Sequence, residues 1–320
     1  AESAMSSENV HEINQDQFEE EVLQSAIPVV LDFYSTECAP CEAVASKFEA
    51  LAKLYGNQVR FLKMFRQGNR ALAEQLNVRS SPTLLFYSDG KEVQDRLIGA
   101  IRRSAIAANV QAMIDPALAA QIAATEKPVR TEADVLILGG GPAGLTAGIY
   151  AAQARLKVIM VDAGLGGGNL SITHQVSNFP GFPQTQPGYM LAHLIVEHAK
   201  AAGVEMRLAA DVTDVDLDNR SLVVDGLETI SAKKLILATG SSPRLIGVKG
   251  EREYKGKGIS YCATCDAKYY GDKHVIVIGG GNSAIEEALF ISKFASKITV
   301  VHQFAELQAS KVAQEQAFAN

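Results

Sequence analysis

The sequence predicts an α/β protein in which a small α/β domain precedes two similar β-α-β units. In the small domain, the β-rich run Val29–Tyr34 is followed by a helical pattern over Glu42–Leu54. Further along, the glycine-rich stretch Gly139–Gly144 joins an uninterrupted apolar strand to a helix. A near-copy of this arrangement occurs at Gly279–Ala284. Strands that alternate with helices in this way favour parallel sheets covered by helices.

Length and composition describe a globular chain of more than one domain. The 320 residues are 47% hydrophobic and 21% charged, which provides enough apolar material for several cores. A net charge of −6 gives no general attraction to nucleic acid or anionic lipid, so we expect neither as a partner. No run approaches the ~20 apolar residues of a membrane span, and the stretch 1–15 has no apolar signal-peptide core. The predicted location is the cytoplasm.

The small domain is predicted to occupy residues 1–115. After the first strand and helix come strand-like runs at Val59–Met64 and Thr83–Tyr87, and then a helix at Arg103–Ile114. Residues 116–132 are alanine-rich and then polar, which is typical of a short helix that runs into a linker. If flexible, such a linker spans about 20–25 Å and holds its two neighbours at a millimolar-scale effective concentration.

The first glycine-rich stretch has the features of a dinucleotide-binding site. It follows the buried-type strand Asp134–Leu138, and the acidic Asp162 ends the next strand. Glycines permit a tight turn and close approach of the backbone to a pyrophosphate, while the helix N-terminus attracts phosphate and the carboxylate suits a ribose hydroxyl. The predicted binding residues are Gly139, Gly141, Pro142, Ala143, Gly144 and Asp162.

The second glycine-rich stretch predicts a second dinucleotide. It follows the strand His274–Ile278, and the next strand ends at His302, followed by Gln303 and Phe304. This strand end offers neither a carboxylate nor the arginine that a 2′-phosphate normally recruits, so the sequence favours NADH over NADPH. The predicted binding residues are Gly279, Gly281, Asn282, Ser283, Ala284 and His302.

The only four cysteines form two C-x-x-C pairs, Cys38 with Cys41 and Cys262 with Cys265. A disulfide-stapled scaffold is disfavoured because such chains are short and rich in cysteine. A four-thiolate zinc site is disfavoured because its two pairs normally lie close together in sequence. Each pair is therefore interpreted as a redox dithiol, and no metal site is predicted.

The second cysteine pair lies between the two glycine-rich stretches. A dithiol beside two nucleotide sites indicates a flavin that takes a hydride from a nicotinamide and passes two electrons to a disulfide. Asp266 follows Cys265 directly, and it is either the acid/base for the leaving thiolate or a solvated loop carboxylate.

The first cysteine pair follows a strand and begins a helix. A cysteine at a helix N-terminus has a lowered thiol pKa, which makes Cys38 the expected attacking thiol. Asp32 lies inside the apolar run before the pair, where an unpaired carboxylate is costly unless it is protonated or hydrogen-bonded. It is either a proton carrier for the dithiol or a paired structural residue.

Residues of about 10–115 resemble thioredoxin. The resemblance implies that Pro82 is a cis proline facing the dithiol, that Asp32 accepts the proton of the resolving Cys41, and that Lys63 neighbours Asp32. Glu37, Ala39 and Ser81 depart from the usual residues at the client-contact surface, so the resemblance leaves the client open. The matching segments are Val30–Tyr34, Cys38–Cys41, Ser81–Thr83 and Ile98–Ala100.

Residues of about 133–320 resemble the low-molecular-weight thioredoxin reductases. The resemblance implies FAD on the first β-α-β unit, Cys265 nearest the flavin, Cys262 attacking the thioredoxin disulfide, Asp266 as acid/base, and a large rotation of the nicotinamide domain. The matching segments are Gly139–Gly144, Gly167–Leu170, Asn178–Gly181, Ala238–Gly240, Cys262–Asp266 and Gly279–Ala288. The further FAD contacts implied are Gly168, Asn169, Leu170, Asn178, Ala238, Thr239 and Gly240.

Two departures from this second family qualify the resemblance. NADPH-using members carry His-Arg-Arg where this chain has His302, Gln303 and Phe304, and they carry a later arginine where this chain has Gln308. Both differences again favour NADH over NADPH. The nicotinamide domain stops in mid-course at Asn320, which indicates either a fragment of a longer chain or a degenerate member of the family, and we expect the fragment. The predicted domains are 1–115 thioredoxin-like, 116–132 linker, 133–243 FAD-binding and 244–320 NAD(P)-binding with the C-x-x-C pair.

The two resemblances together predict a thioredoxin fused ahead of its own reductase. Electrons would pass from NAD(P)H through FAD and the second dithiol to the first dithiol, and then to protein disulfide clients. The thioredoxin domain would be reduced in cis or in trans, and a homodimer is expected. Two alternatives remain open: a peroxiredoxin reductase of the alkyl hydroperoxide reductase type, and a truncated dithiol docking module that is inactive with flavin.

Overall fold

The structure is a computed structural model that describes residues 9–173, 175–176, 179–242, 244–254 and 257–320, apart from the side chains at 175, 264, 265 and 268. It divides into two compact units. The first contains the described residues up to Gly168 together with Ile195–Thr239, and the second contains Asn169–Leu194 with Gly240–Asn320. Within the described ranges, no helix is long and apolar enough to cross a membrane.

The strands are β1 Val10–Glu12, β2 Val29–Tyr34, β3 Arg60–Phe65, β4 Thr83–Ser88, β5 Lys91–Glu92, β6 Leu97–Ile98, β7 Val129–Leu138, β8 Val158–Val161, β9 Gln175–Val176, β10 Gln186–Pro187, β11 Glu205–Arg207, β12 Val212–Asp216, β13 Ser221–Val224, β14 Glu228–Leu237, β15 His274–Ile278 and β16 Lys297–Val301. The α-helices are α1 Ala39–Tyr55, α2 Arg70–Gln75, α3 Arg103–Gln111, α4 Pro116–Ala124, α5 Pro142–Gln153, α6 Gly188–Ala201, α7 Ala263–Asp266, α8 Asn282–Ile291 and α9 Lys311–Ala319. Glu19–Leu23 forms a short π-helical turn.

The first sheet has the order β1-β3-β2-β4-β5, with β6 paired to β4. Strands β1, β3 and β2 run parallel, whereas β4 pairs with β2 in the antiparallel direction. Strand β2 is buried along most of its length because an apolar cluster covers each face. Helix α1 supplies Val44, Phe48 and Leu51 to one of these clusters. This packing fixes the end of β2 and the start of α1, where the first cysteine pair lies.

The first part of the segment expected as a linker is helical. Asp115 caps α4 by accepting hydrogen bonds from the main chain of Ala117 and Leu118, and Pro116 occupies the first helical position. Ala119 is buried, and Ile122 packs against the core cluster that contains helix α1. Only residues 125–128 separate this helix from β7. The short helix expected at the start of residues 116–132 is therefore present, and the span of about 20–25 Å, which assumed a flexible linker, does not apply to it.

The second sheet has the order β11-β8-β7-β14-β13-β12. Its first four strands pair in parallel, and β12 and β13 form an antiparallel extension. We call residues 129–168 and 195–239 the central lobe. Its parallel strands are apolar runs because both faces are covered, by the cluster around Ile137 and Met160 on one side and the cluster around Leu136 and Ile159 on the other.

The second compact unit contains the other β-α-β arrangement. Strands β15 and β16 are parallel neighbours, and α8 connects them. Helix α8 contributes Ile291 to a cluster with the start of α7, and Ile285 to a cluster with α9. The C-x-x-C segment of α7 is thereby packed next to the helix of the second glycine-rich stretch.

Candidate functional site

Cys38 and Cys41 form a disulfide at the N-terminus of α1. Cys38 is the N-cap residue, and its Sγ accepts a hydrogen bond from the main-chain N–H of Cys41 at 3.3 Å. Cys41 is buried, whereas Cys38 is half-buried and therefore the more accessible sulfur. The helix N-terminus favours negative charge on Cys38 after reduction.

A series of hydrogen-bonded polar groups lies beside this disulfide. The Ser81–Pro82 peptide bond is cis, and the carbonyl oxygen of Ser81 lies 3.7 Å from the Sγ of Cys38. The hydroxyl of Ser35 donates to the Oγ of Ser81 at 2.7 Å, and the guanidinium of Arg66 donates to the same oxygen at 3.0 Å. Sequence reasoning missed Ser35 and Arg66, because no local motif marks them.

Asp32 is buried within β2. Its Oδ1 has no hydrogen-bond partner among the described residues. Burial raises the pKa of this carboxyl to about 7, and the positive charge of Lys63 opposes part of that rise. Lys63 is the register partner of Asp32 across the β2–β3 pair. A carboxyl with a pKa near neutrality can take up or release a proton at physiological pH.

Lys63 also connects Asp32 to the protein surface. Its ammonium lies 5.5 Å from the ring centre of Tyr34 and 3.9 Å from a carboxylate oxygen of Glu12. The hydroxyl of Tyr34 donates to Glu12 at 2.7 Å, and burial with this contact raises the pKa of Tyr34. The network keeps one positive charge close to the buried carboxyl.

The first glycine-rich stretch forms a tight turn between β7 and α5. Gly139 has a φ of +109°, and a Cβ there would lie 2.2 Å from the carbonyl oxygen of Ala238. A Cβ on Gly144 would lie 1.9 Å from the carbonyl oxygen of Gly139. Gly141 is the N-cap of α5, and Pro142 follows it at the first helical position. The turn therefore brings bare backbone and a helix N-terminus to one place, which suits a pyrophosphate.

Asp162 lies at the end of β8 beside this turn. One carboxylate oxygen accepts from the N–H of Gly140 at 2.5 Å, and the other accepts from the N–H of Gly164 at 2.6 Å. The following backbone is tied to the end of β11, since the N–H of Ala209 donates to Gly164 O at 2.6 Å and that of Ala210 to Asp162 O at 3.1 Å. The carboxylate keeps acceptor capacity for a ribose hydroxyl.

The other residues predicted to contact FAD lie in separate segments. The N–H of Ala238 donates to the carbonyl oxygen of Leu138 at 2.8 Å, which places the start of the Ala238, Thr239, Gly240 segment next to the turn. Gly168, Asn169 and Leu170 begin a 3-10 helix. The side-chain N–H of Asn169 donates to Ser241 O at 3.0 Å. Asn178 lies outside the described residues.

The second glycine-rich stretch repeats the same turn between β15 and α8. Gly279 has a φ of +132°, and a Cβ on Gly281, the N-cap of α8, would meet open space. Asn282, Ser283 and Ala284 form the first turn of the helix. A nucleotide phosphate can therefore approach the helix N-terminus.

His302 directly follows β16 and lies beside this second turn. A Cβ on Gly280 would lie 3.2 Å from the His302 side chain. The buried Nδ1 of His302 has no hydrogen-bond partner in the part of the chain that the structure describes. Phe304 is exposed nearby in sequence. Residues 302–304 at this strand end thus include neither a carboxylate nor an arginine.

The second C-x-x-C pair begins helix α7. Cys262 is the N-cap residue and is disulfide-bonded, and the side chain of Cys265 lies outside the described part of the chain. The hydroxyl of Ser260 donates to Asp266 at 2.6 Å and accepts from the N–H of Cys262 at 3.1 Å. Ser260 therefore joins the two residues predicted to move electrons and protons. Sequence reasoning missed it.

Glu287 of helix α8 also reaches the second cysteine pair. Its carboxylate accepts a hydrogen bond from the N–H of Ala263, the residue after Cys262, at 3.3 Å. Burial raises the pKa of Glu287, and this hydrogen bond opposes the rise. The glycine-rich helix and the cysteine pair are thus joined by a titratable side chain.

Comparisons with known proteins agree with this arrangement. The pyridine nucleotide-disulphide oxidoreductase family model matches residues 133–319, and the thioredoxin model matches residues 9–112. The thioredoxin reductase of Peptoclostridium acidaminophilum is 47% identical over 188 residues, and that of Bacillus subtilis is 40% identical over 187. Each alignment covers 58% of this chain, and the chain spans 59% of the length of each relative.

Solved structures give the same result. The thioredoxin reductase of Lactococcus lactis is similar with a TM-score of 0.55 at 35% identity, over 59% of this chain and 62% of that one. The T. acidophilum thioredoxin reductase has the same TM-score at 32% identity and the same coverage. The predicted fold class, a thioredoxin fold followed by Rossmann-like units, is confirmed. The chain belongs to the pyridine nucleotide-disulphide oxidoreductase family and carries a thioredoxin domain ahead of its reductase-like part.

Proposed function

We propose that the protein is a thioredoxin–thioredoxin reductase fusion that passes electrons from NAD(P)H to protein disulfides. The observation that carries the proposal is the presence, in one chain, of two nucleotide-type turns and two C-x-x-C pairs, each pair at a helix start. The names of the relatives support the reductase assignment of residues 133–319. The domain boundaries predicted from the sequence are part of this proposal.

FAD is the proposed cofactor of the first turn. The residues fit it, because the bare backbone around Gly139 and the N-terminus of α5 suit a pyrophosphate, and Asp162 suits the ribose. When bound, FAD would supply two-electron transfer between a nicotinamide and a disulfide. The remaining contacts predicted from the sequence, Asn169 and Thr239 among them, belong to the same proposal.

The second cysteine pair is proposed as the reductant of the thioredoxin disulfide. The Cys262 thiolate attacks a sulfur of the Cys38–Cys41 bond, so that one S–S bond forms as another breaks. Cys41 leaves as a thiolate and needs a proton. Cys265 then attacks Cys262 and releases reduced Cys38, which leaves the reductase pair as a disulfide. Two electrons pass to the thioredoxin pair, and the reductase pair loses two.

Asp266 and Asp32 are proposed to handle the protons of this exchange. Ser260 holds Asp266 through a 2.6 Å hydrogen bond and contacts the main chain of Cys262, so the carboxylate stays close to the reacting pair. Asp32 has a pKa of about 7, raised by burial, which permits it to exchange a proton with Cys41 at neutral pH. Pro82 is proposed to line the client side of the dithiol.

The second turn is proposed to bind NADH in preference to NADPH. His302, Gln303 and Phe304 place no permanent positive charge at the ribose end, so nothing there compensates a 2′-phosphate. The comparison is the turnover of NADH and NADPH by the full-length protein with added FAD. A strong preference for NADPH would overturn this part alone.

The proposed partners are client disulfide proteins, the chain's own thioredoxin domain in cis or in trans, and a second copy in a homodimer. The cytoplasmic location predicted from the sequence is part of the same proposal, since dithiol relays of this type operate in reducing compartments.

The decisive experiment is a coupled assay on the full-length protein with FAD and NADH, in which reduction of an insulin disulfide is followed. We expect reduction in the wild type, and loss of insulin reduction with retained flavin reduction in the Cys38→Ser variant. Retained insulin reduction in that variant would contradict the proposed order of the two dithiols.

A further inference from the structure

Lys47 joins the thioredoxin domain to the central lobe. It lies on helix α1 and is half-buried. Its ammonium donates to the carbonyl oxygens of Leu208 at 2.8 Å, Ala209 at 2.6 Å and Ile101 at 3.2 Å. An ammonium has three N–H donors and no acceptor, so these three oxygens satisfy it completely. Two of the three oxygens, those of Leu208 and Ala209, belong to the central lobe, so the ammonium binds defined main-chain atoms of that lobe.

Asp211 provides a second contact two residues after Ala209. Its carboxylate accepts from the guanidinium of Arg102 at 2.8 Å and from the hydroxyl of Ser104. The Asp211 side chain is 19% exposed and that of Arg102 is 51% exposed, so the carboxylate is partly shielded while the guanidinium faces solvent. The N–H of Asp211 donates to Asp225 at 2.9 Å, which holds the receiving carboxylate in place.

The contact is polar and complementary in sign. At Lys47 and Arg102 the thioredoxin domain contributes the positive charge and the central lobe contributes the accepting oxygen atoms, whereas the charges are reversed in the pair at the rim. A third pair, Lys200 with Glu42 at 3.1 Å, lies at the rim, where 66% exposure of Glu42 makes it weak. A cleft of about 560 Å³, lined by both parts, runs along the same side of α1. A polar interface between two domains of one chain resembles a transient protein–protein interface, and relative motion of such domains is the default expectation.

We propose that the segment Leu208–Asp211 is a docking site for the thioredoxin domain, which binds it reversibly through Lys47 and Arg102. The face that binds consists of Lys47, Arg102 and Ser104, none of which belongs to the disulfide or to the Asp32 network. The site therefore holds the domain without using the disulfide or the Asp32 network. This inference does not depend on the proposed redox chemistry.

The test is hydrogen exchange on the full-length protein in the Lys47→Met variant, which keeps the aliphatic stem and removes the ammonium. Lys53→Met is the matched control, because Lys53 is an exposed lysine of the same helix. We expect the rate of amide exchange in peptides covering 101–104 and 207–211 to rise roughly tenfold in Lys47→Met, because hydrogen bonds from a charged group are lost. The rate should stay unchanged in Lys53→Met. Equal exchange in the two variants would overturn the proposal.

A charge exchange separates docking from general loss of structure. We expect Arg102→Asp and Asp211→Arg each to raise exchange in both peptides, and the double variant to restore protection in part, because the pair is re-formed with opposite sign. Core peptides in β2 and β7 serve as the internal reference for folding. Additive effects in the double variant, with the core peptides still protected, would refute docking through this pair.

Discussion

Glu287 accepts a hydrogen bond from the main-chain N–H of Ala263, the residue that directly follows Cys262. A carboxylate in helix α8 is thus held against the first peptide of helix α7. The two elements carry different parts of the proposed reaction, because α8 begins at the second nucleotide-type turn and α7 begins at the second cysteine pair. The side chain that joins them has a pKa raised by burial.

Replacement of Glu287 by Gln should lower the thiol pKa at the second cysteine pair. Removal of a negative charge next to Cys262 stabilises the thiolate, by roughly half a pKa unit for a charge near a helix end. The measurement is the pH dependence of iodoacetamide alkylation of the reduced protein in a Cys38→Ser/Cys41→Ser background. Glu286→Gln is the control, since Glu286 is the exposed neighbour in the same helix. Identical alkylation profiles for the two variants would argue against the effect.

Asp32 should make the stability of the oxidised protein depend on pH. Its pKa rises on folding from 3.8 to about 7, so the folded state prefers the protonated carboxyl. The stabilisation is fully present below pH about 4 and is lost as pH rises through about 7, with a total of roughly 4 kcal/mol. Asp32→Asn should therefore remove most of the fall in melting temperature between these pH values. Asp95→Asn, at an exposed position, should leave the fall unchanged.

Ser260→Ala should slow reduction of the thioredoxin disulfide without weakening flavin binding. The variant loses the hydroxyl that donates to Asp266 and accepts from Cys262 N–H, so the carboxylate is no longer held beside the pair. We expect a fall of roughly tenfold in the turnover number, together with a changed pH profile. Ser260→Thr should restore most of the rate because it keeps the hydroxyl. Equal rates for the alanine and threonine variants would show that the hydroxyl is not needed.

Gly139→Ala should prevent formation of the first nucleotide-type turn. The added Cβ would lie 2.2 Å from the carbonyl oxygen of Ala238, and this backbone atom cannot move aside easily. Gly226→Ala is the matched control, because Gly226 also has a positive φ of +68° but a Cβ there meets nothing within 4 Å. We expect the control to lose about 1 kcal/mol and keep its flavin, and Gly139→Ala to lose the flavin. The measurements are thermal unfolding and flavin absorbance after gel filtration.

Local sequence patterns predicted the turns and helix starts whose conformation depends on residues adjacent in the chain. The turns at Gly139 and Gly279 require glycine because both have positive φ, and the sequence shows this directly. The helix start at Cys38 was likewise visible, since a strand and a helical pattern flank it. Helix α4 had local signals too, with Asp115 as cap and Pro116 at the first position, but only tertiary packing of Ala119 shows that it is attached to the core.

Polar partners that are distant in sequence could not be predicted. The contact of Ser81 with Arg66, the contact of Ala263 with Glu287 and the carbonyl oxygens around Lys47 all depend on how separate elements pack. A lysine or a glutamate in a helical pattern looks like a solvated residue until its neighbours are known. These residues account for most of the candidate site that sequence reasoning missed.

The main chain of Leu208–Ala210 makes hydrogen bonds to two different parts of the protein. Its carbonyl oxygens at Leu208 and Ala209 receive Lys47, while its N–H groups at Ala209 and Ala210 bond the backbone of Gly164 and Asp162. The proposed docking site and the ribose end of the proposed flavin site thus share one short piece of main chain. Thermodynamic linkage is reciprocal. If bound flavin changes the affinity of the central lobe for the thioredoxin domain by some factor, docking of that domain changes the affinity for flavin by the same factor.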